Sequence, residues 1–361
     1  MPRMRRQQGR LRKGGGLKTS RIDPAGIALE AGFDAAGMVN PALLAEDRSR
    51  IQILRSRQWY SKTCLAGMET EWILDADGWA GAFSILVCAL SCHRPEPDDN
   101  SSPSDPHALI APFARRNHYA AAAKMLRTAA ASLSRELEID RKKIRIFVNS
   151  RLPEKPLLAA SGLGAIGRNG LAQIPGLGSL FVIAGAVIPV SSARFGPGAV
   201  RAAEPCGNCR LCIGACPAGA IGDRGLVDPD ICLQGLASRP GFIDSGLKEK
   251  WGFRLYGCQD CQSVCPRNRE TAGISTVSAG EIGPSVSING LLSRDSDGVR
   301  AFFKGTALAM SWISPEALIR NALMAAGNRR CPSLAPCVSG HLESGTPFIA
   351  DAARWALEMF G

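Results

Sequence analysis

Residues 205–219 read PCGNCRLCIGACPAG and residues 256–268 read YGCQDCQSVCPRN. Cys206, Cys209, Cys212 and Cys216 form C-x2-C-x2-C-x3-C followed by Pro217. That is the spacing by which bacterial ferredoxins hold cubane iron–sulfur clusters. Cys258, Cys261 and Cys265 repeat its second half before Pro266, with Leu255 where a further cysteine would stand. Cys232 completes a set of eight, enough for two 4Fe-4S clusters. In such paired motifs the fourth cysteine of a run serves the other cluster. Cys206, Cys209, Cys212 and Cys265 are therefore expected to hold one cluster, and Cys216, Cys232, Cys258 and Cys261 the second. Both prolines are expected to end local turns. Structural zinc fits less well, because three thiolates spaced two apart crowd one tetrahedral ion. A disulfide scaffold belongs to short secreted chains.

Outside these runs the composition is that of an ordinary globular protein of two or three domains. Of the 361 residues, 45% are hydrophobic and 21% charged. The longest apolar stretch, GSLFVIAGAVIPV from Gly178, is too short to cross a membrane and predicts a buried strand. The formal net charge is +11, and seven Lys or Arg fall within the first 18 residues. The Gly-rich tail over residues 1–22 is expected to be disordered. A basic chain suits an anionic partner such as nucleic acid. Arg5-Arg6 has no apolar run after it, so an export signal is not expected. Oxygen-sensitive clusters and free thiols predict a reducing cytoplasm and no membrane.

Read in order, the chain alternates strands and helices over residues 23–200, which predicts an α/β domain with a central sheet. Asp23-Pro24 starts a helix that Gly32 stops, and a short strand follows. Trp79–Cys92 predicts a central strand, residues 95–106 a loop, Tyr119–Glu136 a helix and Lys143–Val148 another strand. A helical segment, a Gly-rich turn over Gly162–Gly170 and a strand from Leu180 complete the domain. Gly162, Gly164 and Gly167 satisfy G-x-G-x-x-G, but the turn follows a helix instead of opening one after a strand. That placement argues against a dinucleotide site and for close approach of backbone to another flat or phosphate-bearing ligand. After the ferredoxin-like region, 201–269, residues 270–361 predict a helical, HEAT-like segment. Its helices are Val299–Ser311, Pro315–Ala326 and Thr346–Phe360, with the Cys331–Cys337 loop before the last. Cys64, Cys88, Cys92, Cys331 and Cys337 lack cluster spacing and are expected to be buried thiols.

The order of these parts resembles the epoxyqueuosine reductase family, cobalamin-dependent double-cluster enzymes of tRNA queuosine synthesis. The cluster runs carry the strongest likeness, joined by AGFDAAGM near the start, IAPFARRNHY (Ile110–Tyr119), VNS (Val148–Ser150), GLGAIGRN (Gly162–Asn169) and RNALMAAGN (Arg320–Asn328). The resemblance implies a corrinoid between the α/β domain and the clusters, near residues 149–179. Gly162, Gly164, Gly167, Arg168, Asn169 and Ser179 would then be cofactor-facing positions. It implies that clusters fed by an external low-potential donor reduce cobalt to a nucleophile that removes an epoxide oxygen. It also implies tRNA as a partner, met by basic surface and C-terminal helices.

The departures from the family are local. Asn149 stands where the family has a proton-donating aspartate, and an amide has no titratable proton. The segment from Asn149 to Gly162 is one residue short, Ala165 replaces a bulky Trp, and LQGLASRPG follows Cys232 where the family carries a Thr/Glu-bearing segment. Glu154 is the nearby titratable group that could substitute. The sequence therefore predicts an iron–sulfur, corrinoid-dependent oxidoreductase whose substrate has diverged. Its rivals are an electron-transfer or corrinoid-activating protein without epoxide chemistry, and a tRNA-binding protein with structural clusters. Oligomeric state stays open.

Overall fold

The structure, a computed structural model, describes residues 22–44, 82–97, 99–150, 152–196, 198–222, 226–269, 271 and 273–361. The basic tail up to residue 21, Cys64 and the expected strand start at Trp79 lie outside these residues.

Helix α1 (Pro24–Glu30) begins where the Asp23 carboxylate accepts the Ala25 N–H at 3.1 Å and proline fills the first turn. Strand β1 (Ala35–Met38) pairs with β2 (Ser84–Ser91), and β3 (His107–Ile110) belongs to a separate sheet. Helix α2 (His118–Leu137) is followed by β4 (Arg145–Val148), helix α3 (Glu154–Ala160), the hairpin β5 (Ala165–Ile166) and β6 (Ala172–Gln173), and β7 (Phe181–Ile188). The main sheet runs β1-β2-β7-β4 and every pairing in it is antiparallel. The alternation of strands and helices thus marks a mixed α/β fold whose main sheet, among the described residues, has no parallel crossover.

All eight residues of β2 are buried. With period two, Leu86, Cys88 and Leu90 face Leu126, Ala130 and Leu133 of α2, while Ile85, Val87 and Ala89 face Leu157 and Leu158 of α3. A sheet covered on both faces reads as a continuous apolar run, and each fully buried aliphatic side chain contributes about 1.5–3 kcal/mol.

The cluster region carries short helices α4 (Leu211–Ala215), α5 (Leu233–Ala237) and α6 (Ser245–Trp251), then β8 (Arg254–Tyr256), α7 (Asp260–Ser263) and α8 (Pro266–Arg269). Pro266 opens α8 instead of ending a turn, as proline does at a first helical position. Strand β9 (Ser285–Ser287) leads into α9 (Ile288–Leu292), α10 (Ser296–Phe302), α11 (Pro315–Arg329), α12 (Ala335–Ser339) and α13 (Pro347–Glu358). The helix expected over Val299–Ser311 starts earlier, at the Asp295 cap, and stops at Phe302 before Gly305 with φ +85°. The expected Cys331–Cys337 loop instead holds a 3-10 turn and the start of α12, because its prolines sit at first-turn positions.

The second sheet joins distant segments in the order β8-β3-β9. Strand β3 is parallel to β8 and antiparallel to β9. Beside it, Arg116 pairs with Glu96 and, at 2.6 Å, with Glu281. Helix α11 is buried over most of its length, and Gly327 lets Trp355 of α13 lie against it: a Cβ there would meet the ring at 2.6 Å.

Candidate iron–sulfur and cofactor site

Short turns carry the cysteines. The Cys209 N–H donates to the Cys206 carbonyl at 2.9 Å, Cys212 lies on α4, and Cys232 caps α5. Cys261 lies on α7, and the Cys265 N–H donates to the Gln262 carbonyl at 3.1 Å. Burial raises the Cys212 thiol, and the charges of Cys206, Cys209 and Cys265 raise it further. Burial pushes Cys261 up to about 12, aided by Cys258, Cys232, Cys212 and Cys216. Between them, the electrostatic neighbours of Cys212 and Cys261 take in all eight cysteines, and Cys212 is itself one of the neighbours of Cys261. Mutually repelling thiolates need metal to hold them deprotonated. Among the described residues no three His, Cys, Asp or Glu side chains converge on one ion. A cubane differs from a single ion here, since each of its cysteines binds a different iron.

Leu255, at the position of the missing cysteine, is fully buried in β8 and packs into the C-terminal core. Cys88 and Cys92 are buried thiols on β2 and just after it, whereas Cys331 and Cys337 are only half-buried.

The Gly-rich hairpin lies directly against one cysteine group. The Arg168 N–H donates to Cys206 Sγ at 3.2 Å, Arg168 Nη2 donates to the Gly207 carbonyl at 2.8 Å, and Gln173 Nε2 approaches Cys265 Sγ at 3.7 Å. The second group receives a matching bond from the Ala220 N–H to Cys216 Sγ at 3.2 Å. Such bonds to sulfur tune cluster potentials. Packing within the hairpin accounts for Gly164 and Gly167, and the later segment at Val200 for Gly162. A Cβ on Gly164 would stand 2.0 Å from the Gln173 carbonyl oxygen, one on Gly162 2.7 Å from the Val200 carbonyl, and one on Gly167 2.5 Å from Gln173 Nε2. Three buried polar atoms on this hairpin, Arg168 Nε, Asn169 Nδ2 and Gln173 Oε1, have no hydrogen-bond partner.

Ser179 is engaged by the cluster region: its N–H donates to Asn268 Oδ1 at 2.7 Å and its carbonyl accepts from Gln262 Nε2 at 3.0 Å. The sequence reasoning missed Gln262 and Asn268 as the residues that lock the two regions together. Their only signal was position, inside and just after the second cysteine run.

Asn149 ends β4 exposed, with left-handed φ of +47°, a conformation asparagine tolerates. Glu154 opens α3 partly buried, and its Oε1 accepts the Ser150 N–H at 2.7 Å and the Ser150 hydroxyl at 3.2 Å. Burial raises its carboxyl to about 7. Glu154 is also among the charges that raise the Tyr119 hydroxyl, after burial, Tyr256 and Cys92. Tyr119 stacks edge-on against Trp312 with ring centroids 5.3 Å apart, and Phe113 against Tyr256 at 6.0 Å. Burial pushes Tyr256 up to about 12 against opposing hydrogen bonds with Gln234 and Trp312. Gln234 Oε1 in turn accepts the Cys258 N–H at 3.2 Å. Tyr256, linked to Trp312 and Gln234, thus stands beside Cys258. The sequence reasoning did not single out these aromatics, although Tyr119 and Tyr256 lie in segments it quoted.

Fold and cysteine arrangement define a double-cluster iron–sulfur protein, and residues 205–268 match the family model described as a 4Fe-4S double cluster binding domain. Among known proteins, the chain is similar to epoxyqueuosine reductases. It is 30% identical over 195 residues to that of Aliivibrio fischeri, covering 53% of this chain and 51% of that one. The matched region spans about half the length of this relative. The fold matches the epoxyqueuosine reductase of Streptococcus thermophilus with a TM-score of 0.77 at 20% identity, over 92% of this chain and 88% of that one. A crystal structure of epoxyqueuosine reductase with an epoxyqueuosine-modified tRNA stem loop matches with a TM-score of 0.74 at 22% identity and the same coverage. No helix among the described residues is long and apolar enough to cross a membrane.

Proposed function

We propose that this protein is a corrinoid-dependent iron–sulfur oxidoreductase that reductively removes an epoxide oxygen from a modified tRNA nucleoside. The observation that carries the proposal is eight cysteines at double-cluster spacing lying near one another, with the Gly-rich hairpin hydrogen-bonded to Cys206. In this reading Cys206, Cys209, Cys212 and Cys265 ligate one cluster and Cys216, Cys232, Cys258 and Cys261 the other. The electrostatic neighbours of Cys212 and Cys261 support that division. Residues 23–200 form the corrinoid side, 201–269 the cluster unit and 270–361 a repeat-like helical segment turned toward tRNA. The stem loop held by a fold neighbour supports tRNA as the partner. The reaction belongs to a reducing cytoplasm.

The hairpin chemistry fits a corrinoid. Arg168 Nε and Asn169 Nδ2 are unpaired buried donors and Gln173 Oε1 an unpaired buried acceptor, beside the cluster cysteines. The amide-rich rim of a corrin offers partners of both kinds. When bound, a corrinoid supplies a low-valent cobalt centre for carbon–oxygen bond cleavage. The protein's residues do the rest. Arg168 and Gln173 hold the hairpin against the cysteines. Asn149 can hydrogen-bond substrate but cannot supply a proton. Glu154, with its carboxyl near 7, can hold one at Oε2 while Oε1 stays bound to Ser150.

Anaerobically reconstituted protein is expected to hold about eight irons, to change the cobalt spectrum of added cobalamin and to reduce an epoxyqueuosine-containing stem loop. Iron for only one cluster would overturn the ligand assignment. Asn149 favours a second reading, an electron-transfer or corrinoid-activating protein without epoxide chemistry. Restoration of queuosine in a strain lacking epoxyqueuosine reductase would rule that out.

A further inference from the structure

Electrons must reach the two clusters from outside, and the cysteines are not equally accessible. Seven of the eight are half-buried; Cys209 is exposed. Its exposure belongs to a run, since Gly207, Asn208, Cys209, Arg210 and Leu211 are all exposed. Leu211 leaves 54% of its surface in solvent, an apolar side chain beside a charged turn.

The surroundings are positive. Arg168 Nη2 donates to the Gly207 carbonyl at 2.8 Å, and Arg267 Nη2 donates to the Pro205 carbonyl at 3.1 Å. These contacts bring two guanidinium groups to the run from the hairpin and from α8. Arg210 lies within the run and Arg269 at the end of α8, and Glu204 is the one carboxylate in residues 200–212 and 265–269. A small apolar spot ringed by one sign of charge is what transient redox encounters use: steering brings the partner in, and a small dry contact lets it leave.

We infer that the run Gly207–Leu211 is the electron-entry port, and that it receives a small acidic one-electron carrier protein, flavin- or iron–sulfur-bearing. Each encounter oxidises the carrier by one electron and lowers one cluster from the 2+ to the 1+ level, with no bond made or broken; two encounters load both clusters. The inference rests on the two-cluster reading above and specifies where that reading takes its electrons.

The test uses the anaerobic full-length protein with both clusters, followed by stopped-flow bleaching of cluster absorbance. The probes are reduced flavodoxin, a reduced plant-type ferredoxin and, as a small-molecule control, dithionite. Reduction by a carrier should slow as salt rises, because steering is screened. The double variant Arg210→Glu with Leu211→Asp should slow it at least about tenfold, while dithionite reduction and iron content stay at wild-type values. Carrier reduction that ignores salt in the wild type overturns the port, whether or not the variant folds. So does a variant reduced as fast as wild type, or a wild type that takes electrons from dithionite but from neither carrier. A wild type without iron for two clusters would instead overturn the cluster reading beneath it.

Discussion

At Asn149 the backbone takes a left-handed turn that asparagine and aspartate both tolerate, so the side chain can be exchanged without refolding the strand end. Asn149→Asp is therefore expected to raise epoxide turnover, by about 10²-fold if a general acid is what the wild type lacks. Single-turnover assays on an epoxyqueuosine stem loop would measure it, and an unchanged rate would move the divergence to substrate recognition. In the proposed reading the wild-type proton comes from Glu154, whose carboxyl burial raises to about 7. The acid form is the useful one, so turnover should decline as pH rises through about 7. Glu154→Gln should abolish that limb of the pH–rate profile; a limb that survives belongs to another group. The same shift favours the protonated fold. Its contribution to stability is complete below the usual carboxylate value of 4.5 and is lost as pH rises through about 7.

Among the elements, the β5–β6 hairpin is the most sharply constrained. Gly164→Ala would drive a methyl to 2.0 Å from the Gln173 carbonyl oxygen, part of the backbone that closes the hairpin. The expected loss is about 1–3 kcal/mol in thermal unfolding, together with poorer retention of the cluster beneath Cys206. Equal iron content and melting temperature in the variant would show that the hairpin yields. The hairpin also marks the limit of what sequence discloses. Its G-x-G-x-x-G pattern was visible, but the cause of each glycine, Gln173 across the turn or the Val200 carbonyl from a later segment, appears only once the chain closes. Strands β2 and β7 were legible because both faces of the sheet are covered and their interior positions are all apolar. The cysteine spacing was legible because cluster chemistry fixes it. Strand β3 was not, since four residues carry little pattern and its partners, β8 and β9, lie far downstream. The aromatic contacts were hidden for the same reason: Tyr119, Tyr256 and Trp312 come together from three distant segments.

Across the whole molecule, α11 is the clamp that holds the cluster unit in place. Arg320 is almost wholly buried and donates to the carbonyls of Leu236, Arg239 and Gly241 at 2.8–2.9 Å, while Asn321 Oδ1 accepts from it and Asn321 Nδ2 donates to Ala237 and Leu255. Burial lowers the guanidinium to about 10, so it is still charged at neutral pH. A lysine cannot reproduce that planar fork, and each abandoned buried carbonyl costs about 1–3 kcal/mol. Arg320→Lys should therefore release iron on dilution faster than wild type, read by loss of cluster absorbance. Undiminished retention would place the clamp outside cluster stability.

The β8-β3-β9 sheet also imposes a timetable on the ribosome. His107–Ile110 is synthesised well before Arg254–Tyr256 and Ser285–Ser287, the strands that complete it. At cellular elongation rates the first strand waits on the order of ten seconds with both edges open. In the proposed ligand set each cluster also lacks at least one cysteine until the second run emerges. Birth of the protein thus includes an interval in which an unpaired strand and free thiols coexist in the nascent chain. Iron delivery and protection from oxygen are needed most during that interval.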